Sequence, residues 1–86
     1  MTSRFLYVYF MKDQPDRVRR VAPQHARYWN DQNLSGYMGG PFADRNGGSI
    51  SFLAESLRAA EELVAGDPFV VADLLSQSWL KEWKVE

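Results

Sequence analysis

The first apolar block of the chain covers residues 5–11, where every side chain is apolar or aromatic. Valine, tyrosine and phenylalanine favour a strand, and an unbroken apolar run is typical of a strand that is covered on both faces. In so short a chain the helices can cover only one face of a sheet, and a second copy of the sheet is the simplest cover for the other. The pattern therefore predicts a homodimer.

The apolar spacing changes to that of a helix over residues 14–33, with Pro15 suited to its first turn and Gly36 beyond its end. Pro23 removes one backbone donor and should bend the helix two residues before His25. One face is apolar apart from His25, and we expect it to pack on the sheet. That face comprises Val18, Val21, Ala22, His25, Tyr28 and Trp29.

The rest of the chain alternates between short strand patterns and a second helix pattern. We predict strands at 37–42 and 50–54 joined as a hairpin by the loop 43–48, a helix at Leu57–Ala65 capped by Ser56 and followed by Gly66, a helical turn from Asp67 to about Leu75, and a last strand at 77–85. This order is that of a ferredoxin-like α+β domain with an antiparallel sheet. No repeat or linker interrupts it, so residues 1–86 are predicted to be one domain.

The charge balance limits the partners. The 86 residues carry 10 Lys plus Arg against 11 Asp plus Glu, a net charge of -1 that supplies no positive field for nucleic acid. We interpret the basic cluster of Arg17, Arg19 and Arg20 as a solvated helix face. The absence of cysteine, of a membrane-length apolar run and of a leader pattern predicts a cytoplasmic protein without a membrane partner.

His25 and Asp67 are the strongest candidates for chemistry. His25 is the single histidine, and imidazole is the side chain best suited to proton transfer near neutral pH. In the predicted fold both helices lie on one face of the sheet, so Asp67 can approach His25 and accept a hydrogen bond from it. The alternatives stay open: His25 as a hydrogen-bonded core residue, and Asp67 as a helix cap.

Other chemistries find no support in the sequence. One histidine and scattered carboxylates form no metal-binding cluster, and no glycine-flanked serine nucleophile is present. Gly39, Gly40 and Pro41 allow a ligand to approach the backbone, but they match no phosphate-binding fingerprint. We therefore expect no metal and no cofactor.

An ordered set of short motifs resembles the YciI-like, or YCII-related, family across nearly the whole chain. The set consists of an apolar first strand, Pro23-Gln24-His25, Gly40-Pro41, Gly48-Ser49 and Asp67-Pro68-Phe69. The resemblance implies a ferredoxin-like fold that dimerises as an α+β barrel, with an active site centred on His25 and Asp67. Ala22 stands where the resemblance would place an arginine, so that support for an anionic substrate is missing.

The family is similar in architecture to muconolactone isomerases and small monooxygenases, and one relative resembles a dehydrochlorinase of aromatic degradation. The resemblance thus implies proton transfer, of a lyase, dehydrochlorinase or isomerase type, on a small cyclic or aromatic molecule. We expect its pocket to be lined by Tyr7, Gly40, Pro41, Ser49, Pro68 and Phe69. The alternative is a non-catalytic dimeric protein that binds a small ligand or assists a larger enzyme.

Overall fold

The computed structural model describes all 86 residues. Its elements are β1 (Ser3–Met11), α1 (Pro15–Asp31), β2 (Met38–Pro41), β3 (Gly47–Ala54), α2 (Leu57–Ala65), α3 (Pro68–Val71) and β4 (Leu75–Glu82). The four strands form one sheet in the order β2-β3-β1-β4, and every neighbouring pair is antiparallel. The predicted ferredoxin-like α+β fold is confirmed.

Strand β1 lies at the centre of the sheet, between β3 and β4. Phe5, Tyr7 and Tyr9 point to the helical side and are buried, as the alternation of a strand requires. The side chains between them, such as Val8 and Phe10, lie on the other side and are only half-buried. Within a single chain, therefore, one face of β1 is covered and the other is open.

Helix α1 packs the predicted stripe against the sheet. Trp29 is the fully buried member of that stripe, and Val18, Val21, Ala22 and Tyr28 pack partly buried around the core. Pro15 occupies the first turn, as expected. The helix ends at Asp31, two residues before the predicted end, and the chain turns through Asn33 in a left-handed conformation.

Strand β3 begins at Gly47, three residues earlier than predicted. Gly47 and Gly48 pair with Phe10 and Tyr9 on β1, whereas the sequence pattern assigned both glycines to the preceding loop. A Cβ at Gly48 would lie 2.5 Å from the Tyr9 hydroxyl oxygen. These glycines therefore allow close packing inside the sheet. Glycine is also the typical residue of a turn, so the sequence pattern alone does not distinguish a packed strand from a loop.

The last helical turn and the last strand also differ from the prediction. Helix α3 ends at Val71 instead of near Leu75, because Asp73 adopts a left-handed conformation and the Leu74 carbonyl accepts a hydrogen bond from the backbone N–H of Lys12, the residue after β1. Strand β4 consequently starts at Leu75 and ends at Glu82, not at Val85. The even spacing of the aromatic residues extended the predicted strand too far.

Helix α2 has the predicted bounds, and the Ser56 side chain accepts a hydrogen bond from the Ala59 backbone N–H at 3.1 Å. Gly66 follows the helix in a right-handed backbone conformation, so this position does not need a glycine for a left-handed turn. A Cβ there would lie 2.5 Å from the Tyr28 hydroxyl, so close packing is the reason for this glycine. None of the helices has the length and hydrophobicity needed to traverse a lipid bilayer.

Candidate active site

His25 and Asp67 meet between α1 and the start of α3. His25 lies on the sheet-facing side of α1, and Asp67 is the N-cap residue of α3. The Nδ1 atom of His25 lies 2.8 Å from Oδ1 of Asp67, and the two side chains are 12% and 0% exposed. Helix α3 follows α2 directly, so this contact requires the two long helices to share one face of the sheet.

Asp67 is surrounded by hydrogen-bond donors. Its Oδ1 atom accepts from the Phe69 backbone N–H at 2.9 Å, in addition to facing His25. Its Oδ2 atom accepts from the Trp29 indole N–H at 3.1 Å and from the Tyr7 hydroxyl at 3.3 Å. Four partners occupy the four acceptor positions of the carboxylate, which is how a buried acidic side chain is accommodated.

This surrounding determines the direction of the hydrogen bonds through His25. Backbone and indole N–H groups can only donate, so both oxygens of Asp67 act as acceptors and Nδ1 of His25 must donate. In the neutral imidazole the other nitrogen, Nε2, is then an acceptor. It lies 3.1 Å from the Tyr9 hydroxyl, which therefore donates to it. Tyr9, His25 and Asp67 form one continuous chain of hydrogen bonds.

Aromatic rings hold the imidazole in place. The Phe69 ring stacks on His25 with 4.3 Å between centroids and 27° between planes. The Tyr9 ring meets His25 edge-on at 5.4 Å. Phe69 is itself buried, and its backbone N–H is bonded to Asp67, so one residue orients both members of the pair.

The tyrosines around Asp67 keep their protons well above neutral pH. Burial raises the pKa of the Tyr7 and Tyr9 hydroxyls, and the negative charge of Asp67 raises both further. The pKa of Tyr37 is raised by the same two causes, with burial the larger. These hydroxyl groups are hydrogen-bond donors in the neutral range, which suits Tyr9 to donate to Nε2.

A cavity of about 690 Å³ opens in front of His25, between α1, the sheet and the β2–β3 hairpin. This volume is in the range of small-molecule sites. Its walls are mostly apolar or backbone, with a few polar side chains, and no carboxylate lines it. The lining residues on α1 are Val18, Arg19, Ala22, His25, Ala26 and Asn30, and the remainder are Tyr9, Met11, Tyr37, Gly39, Gly40, Pro41, Arg45, Gly47, Ile50 and Phe69.

The residues expected to line the pocket divide into two groups. Gly40, Pro41 and Phe69 line the cavity. Tyr7, Ser49 and Pro68 do not. Tyr7 lies fully buried behind Asp67, Ser49 alternates to the other side of β3 from Ile50, and Pro68 occupies the first turn of α3.

Three other residues lie at the site although their sequence patterns do not indicate it. Tyr9 lies in the apolar run that predicts a buried strand, yet its hydroxyl reaches His25 and the residue lines the cavity. Arg19 was assigned to a solvated face, and it pairs with Asp16 but borders the cavity as well. Arg45 carried no sequence signal, because its approach to the cavity depends on how the hairpin folds over the sheet.

No group of three histidine, cysteine or acidic side chains lies close enough together to bind a metal ion. The site consists instead of an imidazole held by a buried carboxylate and opening onto a largely apolar cavity. Fold and site together define a ferredoxin-like α+β protein with a histidine–aspartate pair beside a largely apolar cavity.

The chain belongs to the YCII-related domain family, whose sequence model matches residues 5–84. Among curated protein sequences, none matches this chain.

Solved structures share the fold. The 5-chloro-2-hydroxyhydroquinone dehydrochlorinase TftG from Burkholderia phenoliruptrix AC1100, in complex with 2,5-dihydroxybenzoquinone, aligns with a TM-score of 0.79 and 24% identity over 94% of this chain and 93% of that chain. A dimeric ferredoxin-like protein of unknown function from Thermobifida fusca YX aligns with a TM-score of 0.61 and 13% identity over 99% of this chain and 92% of that chain. SnoaB, a cofactor-independent oxygenase from Streptomyces nogalater, aligns with a TM-score of 0.53 and 13% identity over 99% of this chain and 95% of that chain.

Proposed function

We propose that this protein is an enzyme that transfers protons on a small cyclic or aromatic substrate, in a lyase, dehydrochlorinase or isomerase reaction, with His25 as the acid–base group. The observation that carries the proposal is the hydrogen-bond chain from Tyr9 through His25 to buried Asp67, beside a cavity of suitable size. The similarity to a dehydrochlorinase supports the reaction class.

Each member of the chain has a distinct role in this proposal. The Tyr9 hydroxyl passes its own proton to Nε2 of His25 and takes a proton from the substrate in its place. The resulting imidazolium is stabilised by the carboxylate of Asp67, which also keeps Nδ1 protonated throughout. In the second half of the reaction the same proton returns to the product or to a departing group.

The test compares wild type with His25→Gln on a panel of hydroxylated and chlorinated aromatic compounds, beginning with 5-chloro-2-hydroxyhydroquinone. Loss of a general acid–base residue lowers turnover by about 10²–10⁴-fold, and we expect a loss in this range. Arg27→Gln, an exposed change on the outer side of α1, is the matched control and should keep wild-type turnover. Equal turnover by His25→Gln and wild type would refute the catalytic role.

A second function, ligand binding without catalysis, is favoured by one specific observation. Every buried polar side-chain atom has a hydrogen-bond partner, and Nε2 of His25 is already occupied by Tyr9. Such a saturated network also describes a structural core. In that case wild type would turn over none of the panel, and His25→Gln would bind the same ligands as wild type.

The homodimer belongs to the same proposal. The face of the sheet opposite the helices carries Leu6, Val8 and Phe10 half-buried, with Trp79 47% exposed beside them. Phe10 contacts the rings of Phe42 and Trp79, so the apolar surface is continuous across strands. A second copy of the sheet would cover this surface and close an α+β barrel, the arrangement expected of a dimeric ferredoxin-like protein.

A further inference from the structure

The charges around the cavity are unbalanced. Two arginines, Arg19 and Arg45, border it, and no aspartate or glutamate does, although acidic side chains outnumber basic ones in the chain as a whole. Asp67 lies behind His25 and is enclosed by its four donors, so its charge is not presented to the cavity. Both fully charged side chains that line this pocket are therefore positive.

Both arginines lie at one end of the cavity. The Met11 backbone N–H donates to Asn46, so the turn that carries Arg45 is attached to the end of β1, where the chain enters α1. Arg19 lies in the second turn of α1 and is therefore at the same end. His25 follows six residues later, which places it about 9 Å further along the helix. The cavity thus has a cationic end and an imidazole end.

Arg45 is the arginine free to bind a ligand. Arg19 is paired with Asp16, whereas the Arg45 side chain has no ion-pair or hydrogen-bond partner in the protein. The backbone of Arg45 belongs to a hydrogen-bonded turn: its N–H donates to the Phe42 carbonyl at 2.9 Å, and its φ is 65°, in the left-handed region. The neighbouring Asp44 carboxylate accepts a hydrogen bond from the Asn46 backbone N–H and forms no ion pair with Arg45. The turn therefore presents an unpaired guanidinium.

We propose that the pocket selects an acidic ring compound, a phenolate, enolate or hydroxyquinone anion, whose negatively charged oxygen binds Arg45 while the ring lies against Phe69 and Ile50 and reaches His25. This inference rests on the proposed function, because it takes the cavity beside His25 as the substrate site. Arg45 would thus supply, from the loop between β2 and β3, the positive charge that an arginine at position 22 would otherwise provide. A guanidinium bound to an anionic oxygen forms one of the stronger hydrogen bonds in proteins.

The test uses two quinones of the same shape. The first, 2,5-dihydroxybenzoquinone, is acidic and anionic at neutral pH. In the second, 2,5-dimethylbenzoquinone, uncharged methyl groups replace the two hydroxyls. Binding is measured by calorimetry for wild type, Arg45→Gln, Arg45→Lys and the control Arg20→Gln, an exposed arginine that does not border the cavity.

We expect wild type to bind the dihydroxyquinone at least tenfold more tightly than the dimethylquinone, and Arg45→Gln to lose about tenfold of that affinity. Arg45→Lys should recover part of the loss, and Arg20→Gln should match wild type. The inference is wrong if wild type binds both quinones equally, if it binds neither at millimolar concentration, or if Arg45→Gln binds the dihydroxyquinone as wild type does.

His25→Gln separates this inference from the proposed function. If that variant loses turnover while Arg45→Gln binds the anion normally, only the assignment of Arg45 fails. If His25→Gln keeps wild-type turnover while Arg45 still selects the anion, the acid–base role fails and the anion-selective pocket stands.

Discussion

At the residue scale, two tyrosines connect the site to the stability of the protein. Tyr7 and Tyr9 are adjacent on one face of β1, with 5.1 Å between ring centroids, and both are buried. Burial, and after it the charge of Asp67, raises the pKa of each hydroxyl above its ordinary value of 10.0. In the unfolded chain that ordinary value returns, so stability is linked to pH.

The sign of this linkage follows from the direction of the shifts. Below pH 10 the tyrosine hydroxyls are protonated in both the folded and the unfolded state, so their contribution to the free energy of unfolding is fully present. As the pH rises above 10, the unfolded state releases protons that the folded state keeps. Above pH 10, ionisation of each tyrosine in the unfolded state lowers the free energy of unfolding by at most about 1.4 kcal/mol per pH unit. Tyr7→Phe should therefore lose less stability than wild type between neutral pH and about pH 11.

Urea unfolding at both pH values measures this difference. Tyr7→Phe also removes the hydroxyl that donates to Asp67, so its stability at neutral pH is the reference for its own alkaline value. An equal alkaline loss in the variant and wild type would contradict the assignment of the pH dependence to Tyr7.

At the element scale, the two caps after β3 show how short sequence signals act locally. Ser56 begins α2 by accepting the Ala59 N–H, and Asp67 begins α3 by accepting the Phe69 N–H. The first is an exposed cap whose side-chain hydrogen bond stays within α2, so its effect is confined to one helix. The second carries two functions at once, because its oxygens also face His25 and Tyr7.

Ser56→Ala should therefore lower the free energy of unfolding by about 1 kcal/mol, the usual cost of removing a helix N-cap, without changing turnover or ligand binding. Thermal unfolding and the quinone titration together check this. Ser35→Ala is the control, an exposed serine whose side chain makes no hydrogen bond, and it should leave stability within about 0.5 kcal/mol of wild type. A Ser56 variant as stable as this control would show that the cap is dispensable.

At the scale of the whole molecule, the open face of the sheet is the contact surface of the proposed dimer. Val8 lies at its centre, opposite Ser49 on β3 and Trp79 on β4. We expect Val8→Arg to convert the proposed dimer to a monomer, because a charged side chain there would be buried without a partner in the closed barrel.

Sedimentation velocity over a range of protein concentrations measures this change. The matched control is Val71→Arg, the same substitution at a valine that is 74% exposed on α3, away from the open face. It should remain dimeric. A monomeric wild type, or a Val8→Arg variant that is still dimeric, would refute the proposed barrel.

The strength of sequence reasoning differs between helices and strand ends. The bounds of α2 follow from a cap, an apolar spacing and a glycine that lie within eleven residues of one another, so they could be predicted closely. The start of β3 at Gly47 and the end of β4 at Glu82 depend on pairing with β1, which is distant in sequence. Pairing over such distances leaves only a weak local signal.

The sequence by itself determined the order of elements, the inward position of His25 and the identity of Asp67 as a helix cap, because periodicity and capping are local properties of the chain. Only the tertiary structure decided that Trp29 and Tyr7 donate to Asp67, that Tyr9 occupies Nε2 of His25, and that Arg45 reaches the same cavity. Those contacts join residues from β1, α1, the start of α3 and the loop between β2 and β3. Their geometry depends on how the helices and the hairpin pack on the sheet, which no single segment encodes.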